Sequence, residues 1–252
     1  MTVDTNWIAT SATSLPPRND IVVVAENENF FIIEKPAGLL VHPTTKNETD
    51  TLVDWLTGKY PELIKIGEDP SRAALVHRLD KDVSGLMIIP RTQDAFDYFK
   101  QQFRDHQIIK KYTALVYDNI AKDDDKIDLP IGRSKNKSGL YAAHPKDKGD
   151  KFAHKDRLAL TVIKVIKRYE KYTLLEVEIF TGRTHQIRVH LLAYGHPIIG
   201  DTLYQNKRLK PANISRIFLH ASQLEFIGPD GTKHKYTSEL PNKLKSFLKI
   251  LK

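Results

Sequence analysis

The chain has 252 residues, of which 40% are hydrophobic, including ten Phe, ten Tyr and two Trp; this is enough to bury a sizeable core and too apolar for whole-chain disorder. Thirty-nine Lys and Arg against 31 Asp and Glu give a formal net charge of +8, a balance that favours a polyanionic partner. The absence of cysteine excludes disulfides, thiolate nucleophiles and Cys-based metal sites, and no apolar run approaches the roughly 18 residues that a spanning helix needs.

Residues 1–20 are polar and end in Leu15-Pro16-Pro17-Arg18-Asn19-Asp20, which predicts an N-terminal arm ahead of a domain over 21–252. The arm lacks a basic start followed by an apolar stretch, so it does not read as a secretory signal, and the expected compartment is the cytoplasm. Apolar runs at 21–25 and 30–33 around Glu26-Asn27-Glu28-Asn29 predict a hairpin, after which Pro36 and Gly38 break the chain. Helices are expected over 51–56 and 92–106. In the second, Phe96, Phe99 and Phe103 share a face and Thr92 is the candidate N-cap. Strands are expected at 73–76, 86–89, 112–117, 158–166, 172–180 and 217–226, the fourth and fifth joined as a hairpin through 168–171.

A helix is expected over 185–194, with Thr184 as N-cap and Gly195 at its C-terminal end. Residues 242–252 place Leu244, Phe247, Leu248 and Leu251 on one stripe, a docking face rather than a membrane anchor. Runs of strands with irregularly placed helices predict an α+β fold on a mainly antiparallel sheet. Residues 132–157 carry eight Lys or Arg against three Asp; a solvated loop and an RNA-contacting insertion are both compatible with that composition.

Four polar segments stand out. His77-Arg78-Leu79-Asp80-Lys81 lies between apolar runs, and cations beside a carboxylate favour its charged form, which suits a nucleophile or base. The alternative is a charged turn capped by Ser84-Gly85. Gly182-Arg183-Thr184-His185-Gln186-Ile187-Arg188 opens a helix, where free N–H groups and Arg183 could meet a carboxylate or phosphate. His185 and His190 are five apart and so not on one helical face, which disfavours a metal pair. Lys110-Lys111-Tyr112 offers a ring to stack on a base or a phenol to move a proton, unless Tyr112 is simply core. Glu34-Lys35-Pro36-Ala37-Gly38 is a tight turn with Lys35 available to phosphate.

These segments, in this order, resemble the signature segments of RluA-type pseudouridine synthases: Lys35-Pro36-Ala37-Gly38, His77-Arg78-Leu79-Asp80 with Ser84-Gly85-Leu86, Lys111-Tyr112-Thr113-Ala114, and Gly182 to Arg188. Gly195-His196-Pro197-Ile198-Ile199-Gly200-Asp201 and Leu219-His220-Ala221 resemble two weaker ones. The resemblance runs from about residue 21 to 226. Val83 stands where the family usually has Thr, and residues 132–157 follow it poorly. Twenty leading residues cannot hold the small RNA-binding domain many relatives carry, so the expectation is the short, catalytic-domain form.

The resemblance implies a pseudouridine synthase fold with a central catalytic cleft, and isomerisation of uridines in rRNA or tRNA with no metal or cofactor. It assigns Asp80 as the catalytic carboxylate, Arg183 as its ion-pair partner and Tyr112 as the residue stacked on the uracil. Arg78 would enter the gap left by a flipped base, and Lys35, His77, Lys111, His185 and Arg188 join it as expected RNA contacts. A monomer is expected. Two other classes fit parts of the pattern: a catalytically silent RNA-binding protein, and an RNA hydrolase using His77 and His185 as an acid–base pair.

Overall fold

The computed structural model describes residues 21–44, 48–135, 137–144, 156–206 and 208–252; the expected arm over 1–20 lies outside them. β1 (Val22–Glu26) and β2 (Phe30–Lys35) form the expected antiparallel hairpin, followed by α1 (Leu52–Lys59), β3 (Ser84–Pro90), α2 (Gln93–Arg104) and β4 (Ile109–Tyr117). Next come β5 (Asp124–Asp128), the small pair β6 (Ile131–Arg133) and β7 (Tyr141–Ala143), then the hairpin β8 (Leu160–Arg168) and β9 (Tyr172–Ile179). α3 (Gln186–Ala193), β10 (Leu219–Ile227), β11 (Lys233–Thr237) and α4 (Asn242–Lys249) complete the described chain.

One sheet runs β1-β2-β3-β10-β4-β9-β8-β5, with β11 on β10. Every pairing in it is antiparallel except β3 with β10. The fold is therefore α+β on a mainly antiparallel sheet. Alternate residues of β2 and β3 enter two separate cores. Phe30, Ile32, Leu86 and Ile88 meet Ala95 and Phe99 of α2 on one face, while Phe31, Ile33, Met87 and Ile89 meet Leu52, Val53 and Leu56 of α1 on the other. Strands covered on both faces read as continuous apolar runs, and these two do. α4 docks through Leu244 and Phe247 into the α1-side core, as its stripe predicts.

Sharp turns deliver the polar segments. Gly85 sits at φ 124°, and a Cβ there would lie 2.2 Å from the Ala221 carbonyl oxygen, so glycine lets β3 approach β10 directly after the turn that carries Asp80. The expected strand at 73–76 is instead a turn. Ala74 adopts φ 55° and donates its N–H to the Ile66 carbonyl, so the apolar side chains of Ala73, Ala74 and Leu75 are buried by a bend rather than by a sheet. Within 132–157, β6 and β7 form a hairpin packed on α3 around Val189 and Tyr204; positions 136 and 145–155 lie outside the described residues.

Candidate active site

Asp80 ends the segment that leads into β3, and Tyr112 stands on β4 facing the same side of the sheet. With Arg78, Arg183, His185 and Arg188 they line a cleft of about 550 Å³, counted to its open mouth.

The carboxylate's partner is not the expected one. Arg188 Nη1 donates to Asp80 Oδ2 at 3.1 Å, while Arg183 Nε donates to the Leu158 carbonyl at 3.0 Å and its side chain stays half-exposed at the cleft wall. Helical geometry explains the exchange. Arg183 precedes α3, whereas Arg188 lies in its first turn on the buried face, only 3% exposed. The Arg188 fork also grips Asp201, Nε to Oδ2 and Nη2 to Oδ1, both at 2.8 Å. Asp201 Oδ1 accepts the Leu203 and Tyr204 N–H groups at 2.9 and 3.0 Å.

Burial opposes charge on both Arg188 and Asp201, but their mutual bonds prevail: Asp201 is held below the usual carboxylate range and Arg188 above its ordinary value. A buried ion pair of this kind is justified by its geometry, two parallel bonds with the remaining carboxylate capacity filled by backbone N–H groups. The third guanidinium nitrogen is thereby aimed, with little freedom, at Asp80.

α3 begins without the expected cap. Thr184 does not fill the role; His185 occupies the N-cap in the left-handed region at φ 56° and makes no side-chain cap. Gln186, 3% exposed, secures the turn instead. Its Oε1 accepts from Thr181 Oγ1 at 2.7 Å and from the Arg183 N–H at 3.0 Å, and its Nε2 donates to the Leu160 carbonyl at 3.0 Å and Thr161 Oγ1 at 3.1 Å. At the far end, Gly195 at φ 93° and His196 donate to the Leu192 and Leu191 carbonyls, closing the C-terminal turn as the sequence implied.

Tyr112 is buried, and desolvation followed by the nearby Asp80 carboxylate pushes its phenol well above its ordinary value, so the hydroxyl stays protonated at neutral pH. Arg78 is exposed, with Nη1 3.0 Å from His42 Nε2. His185 Nε2 lies 3.9 Å from Asp80 Oδ2.

The other expected RNA contacts go elsewhere. Lys35 is fully buried, its ammonium donating to the Pro36, Leu39 and Lys81 carbonyls at 2.8, 2.8 and 3.0 Å, and burial brings it down to about 7. It ties the chain break to the loop after Asp80 and offers nothing to phosphate. His77 stacks on Phe103, its Nε2 accepts the Ile88 N–H at 3.0 Å, and desolvation lowers it to about 3. A nitrogen committed to the backbone cannot form an acid–base pair with His185. Lys111 pairs with Glu176 at 2.9 Å on the face opposite Tyr112, because adjacent strand residues point to opposite sides. Arg188 is buried as an anchor. His190 is inside a polar chain, Nδ1 to Thr161 Oγ1 at 2.8 Å and Nε2 to the Leu129 carbonyl at 2.9 Å, so the two histidines of α3 do not converge. Among the described residues no cluster of three or more His, Cys, Asp or Glu could hold a metal ion.

Asp201, Tyr204 and His42 were not singled out by sequence as site residues. The one available signal was the segment ending in Gly200-Asp201, which marks a turn without saying that its carboxylate faces Arg188.

The family model for RNA pseudouridylate synthase matches residues 29–193. An uncharacterized RNA pseudouridine synthase of Aquifex aeolicus is 41% identical over 192 residues, which are 75% of this chain and 57% of that protein. Ribosomal large subunit pseudouridine synthase D of Nitrosomonas europaea is 34% identical over 245 residues, 91% of this chain and 65% of that protein. The chain thus spans roughly three fifths of the length of these relatives. The solved structure of human RNA pseudouridylate synthase domain containing 1 superposes with a TM-score of 0.73 over 90% of this chain and 86% of that one, at 21% identity, a likeness of fold.

Proposed function

This chain belongs to the RNA pseudouridylate synthase family, and from that premise we propose that it isomerises uridine to pseudouridine in structured RNA, with Asp80 as the catalytic carboxylate. The observation that carries the reading is the Arg188 fork, which is locked by Asp201 and presents one nitrogen to Asp80 beside Tyr112 in an open cleft.

The reaction breaks the bond between uracil N1 and ribose C1′, turns the base, and joins C5 to C1′. The C5 proton leaves to solvent and N1 gains one, so no redox partner or group donor enters the balance. Asp80 would act by attacking the sugar, attacking the ring or taking a ribose proton. Each route needs a carboxylate aimed into the cleft, and Arg188 supplies the aim. Tyr112 would stack on the uracil and would assist removal of the C5 proton by passing its own hydroxyl proton on as it takes that one. The base must leave its stack to reach Asp80, at a cost of roughly a few kcal/mol. Arg78, exposed at the mouth, would enter the vacated gap, and half-exposed Arg183 would meet a phosphate. Relatives named for the ribosomal large subunit make rRNA the first substrate to test, with tRNA second. Action in the cytoplasm as a monomer completes the proposal; among the described residues, no helix is long and apolar enough to cross a membrane.

The test is tritium release from RNA labelled at uridine C5. Release with the strand intact is expected, and Asp80→Asn should bind RNA and fold normally while releasing none. Strand scission, or normal turnover by that variant, would disprove the assignment.

A further inference from the structure

His185 is held in an unfavourable backbone conformation for a reason that α3 alone does not supply. At φ 56° it is a non-glycine residue in the left-handed region, and it occupies an N-cap without capping. Strain of this kind persists where the surroundings over-determine a side chain's position. Here the ring is held through one nitrogen: Nδ1 lies 2.8 Å from the Tyr204 hydroxyl, while Nε2 stands at the cleft, 3.9 Å from Asp80 Oδ2 and beyond hydrogen-bond distance.

The hydrogen-bond partners decide where the proton sits. Tyr204 is 3% exposed, and its oxygen already accepts the Tyr141 N–H of β7 at 3.1 Å. The phenol therefore has a proton to give, and His185 Nδ1 is the acceptor at hand. That leaves the hydrogen on Nε2. The opposite tautomer would strand the buried Tyr204 proton and turn a lone pair toward the Asp80 carboxylate, and both are unfavourable. Burial also lowers the tendency of the imidazole to protonate, so the ring is neutral. Tyr204 is in turn pinned by the Arg188 guanidinium over its face at 5.1 Å and by the apolar cluster under β6 and β7.

We propose that His185 contacts the substrate as a neutral donor, its Nε2–H bonding a carbonyl oxygen of the uracil beside Asp80, and that Tyr204, seated by β7, is the positioning residue that sets this tautomer. The proposal rests on the reading of the chain as a pseudouridine synthase. When the bond between C1′ and N1 breaks, its electron pair goes to the ring and is shared with the carbonyl oxygens. A fixed donor then gains strength as charge develops, and its proton stays on His185.

Two measurements test this. In the free protein, two-bond proton–nitrogen spectra of labelled histidine should show His185 with hydrogen on Nε2, and Tyr204→Phe should shift the ring toward the other tautomer. In tritium release, His185→Asn tolerates the left-handed backbone and still reaches Tyr204, but places nothing at the Nε2 position. Its kcat should fall at least about tenfold, the effect of one hydrogen bond made in the transition state, with RNA affinity and melting temperature little changed. His185→Gln puts an amide near the lost nitrogen and should recover part of the rate. Hydrogen on Nδ1 in the wild type, or wild-type kcat in His185→Asn, overturns the proposal while leaving the function standing. A wild-type protein that releases no tritium overturns the function and the proposal together, so the control separates the two failures.

Discussion

At the scale of single residues, Arg188 and Arg183 make opposite predictions although they lie in one motif. Arg188→Gln leaves Asp201 buried without its cation, which should lower stability by about 3–5 kcal/mol in denaturant titrations and abolish turnover. Arg183→Ala removes only a bond to the Leu158 carbonyl at a half-exposed site, so stability should change by about 0.5 kcal/mol or less, with weaker RNA binding and a largely preserved kcat. The reverse ranking would restore Arg183 as the carboxylate's partner.

His220 gives a pH prediction. It is fully buried between Ser84 Oγ at 2.9 Å and Ser238 Oγ at 3.0 Å, and desolvation, with Arg216 second, lowers it to about 4. Unfolded, it binds a proton near 6.5, so the stability it contributes is complete above that value and is lost as pH falls from 6.5 toward 4. Each such histidine contributes a slope of about 1.4 kcal/mol per pH unit inside the window. Thermal melts between pH 7 and 4 should show it, and a flat profile would count against the burial of His220 as a neutral ring.

At the scale of elements, the seam between β3 and β10 is the sensitive point, since it is the sheet's parallel pairing and follows Asp80 directly. Gly85→Ala would need φ 124° and would set a Cβ 2.2 Å from the Ala221 carbonyl oxygen. A loss of at least about 3 kcal/mol, or failure to fold, is expected in chemical denaturation; a variant as stable as the wild type would mean the strands can part without consequence. The element errors have a common cause. Residues 73–76 carry an apolar run that propensity assigns to a strand, but burial can be met equally by a turn once Ala74 adopts φ 55°. Thr184 was the better cap by residue type, yet the turn is held by Gln186 from inside the helix. Periodicity succeeded where the environment is regular: the α2 face with Phe96 and Phe99, the α4 stripe, and the β8–β9 hairpin.

For the whole molecule, the +8 charge predicts that RNA affinity falls steeply with salt, linearly on logarithmic axes, and that Arg183→Ala reduces the slope by about one if it meets a phosphate. An unchanged slope would remove Arg183 from the RNA interface. What the sequence determined by itself was the chemical inventory, the strand-rich α+β class and, through ordered motifs resembling a known family, the segments from which the cleft is built. The first two are local properties, carried by composition and periodicity; the last rests on the resemblance. What only the tertiary structure decided was which charge meets which. Asp80 and Arg188 are 108 positions apart, Lys35 reaches the Lys81 carbonyl across 46, and Arg188 rather than Arg183 closes on Asp80 because α3 turns it inward onto Asp201. Spacing along a chain says which residues share a face, but the partner across the cleft is set by how the faces pack.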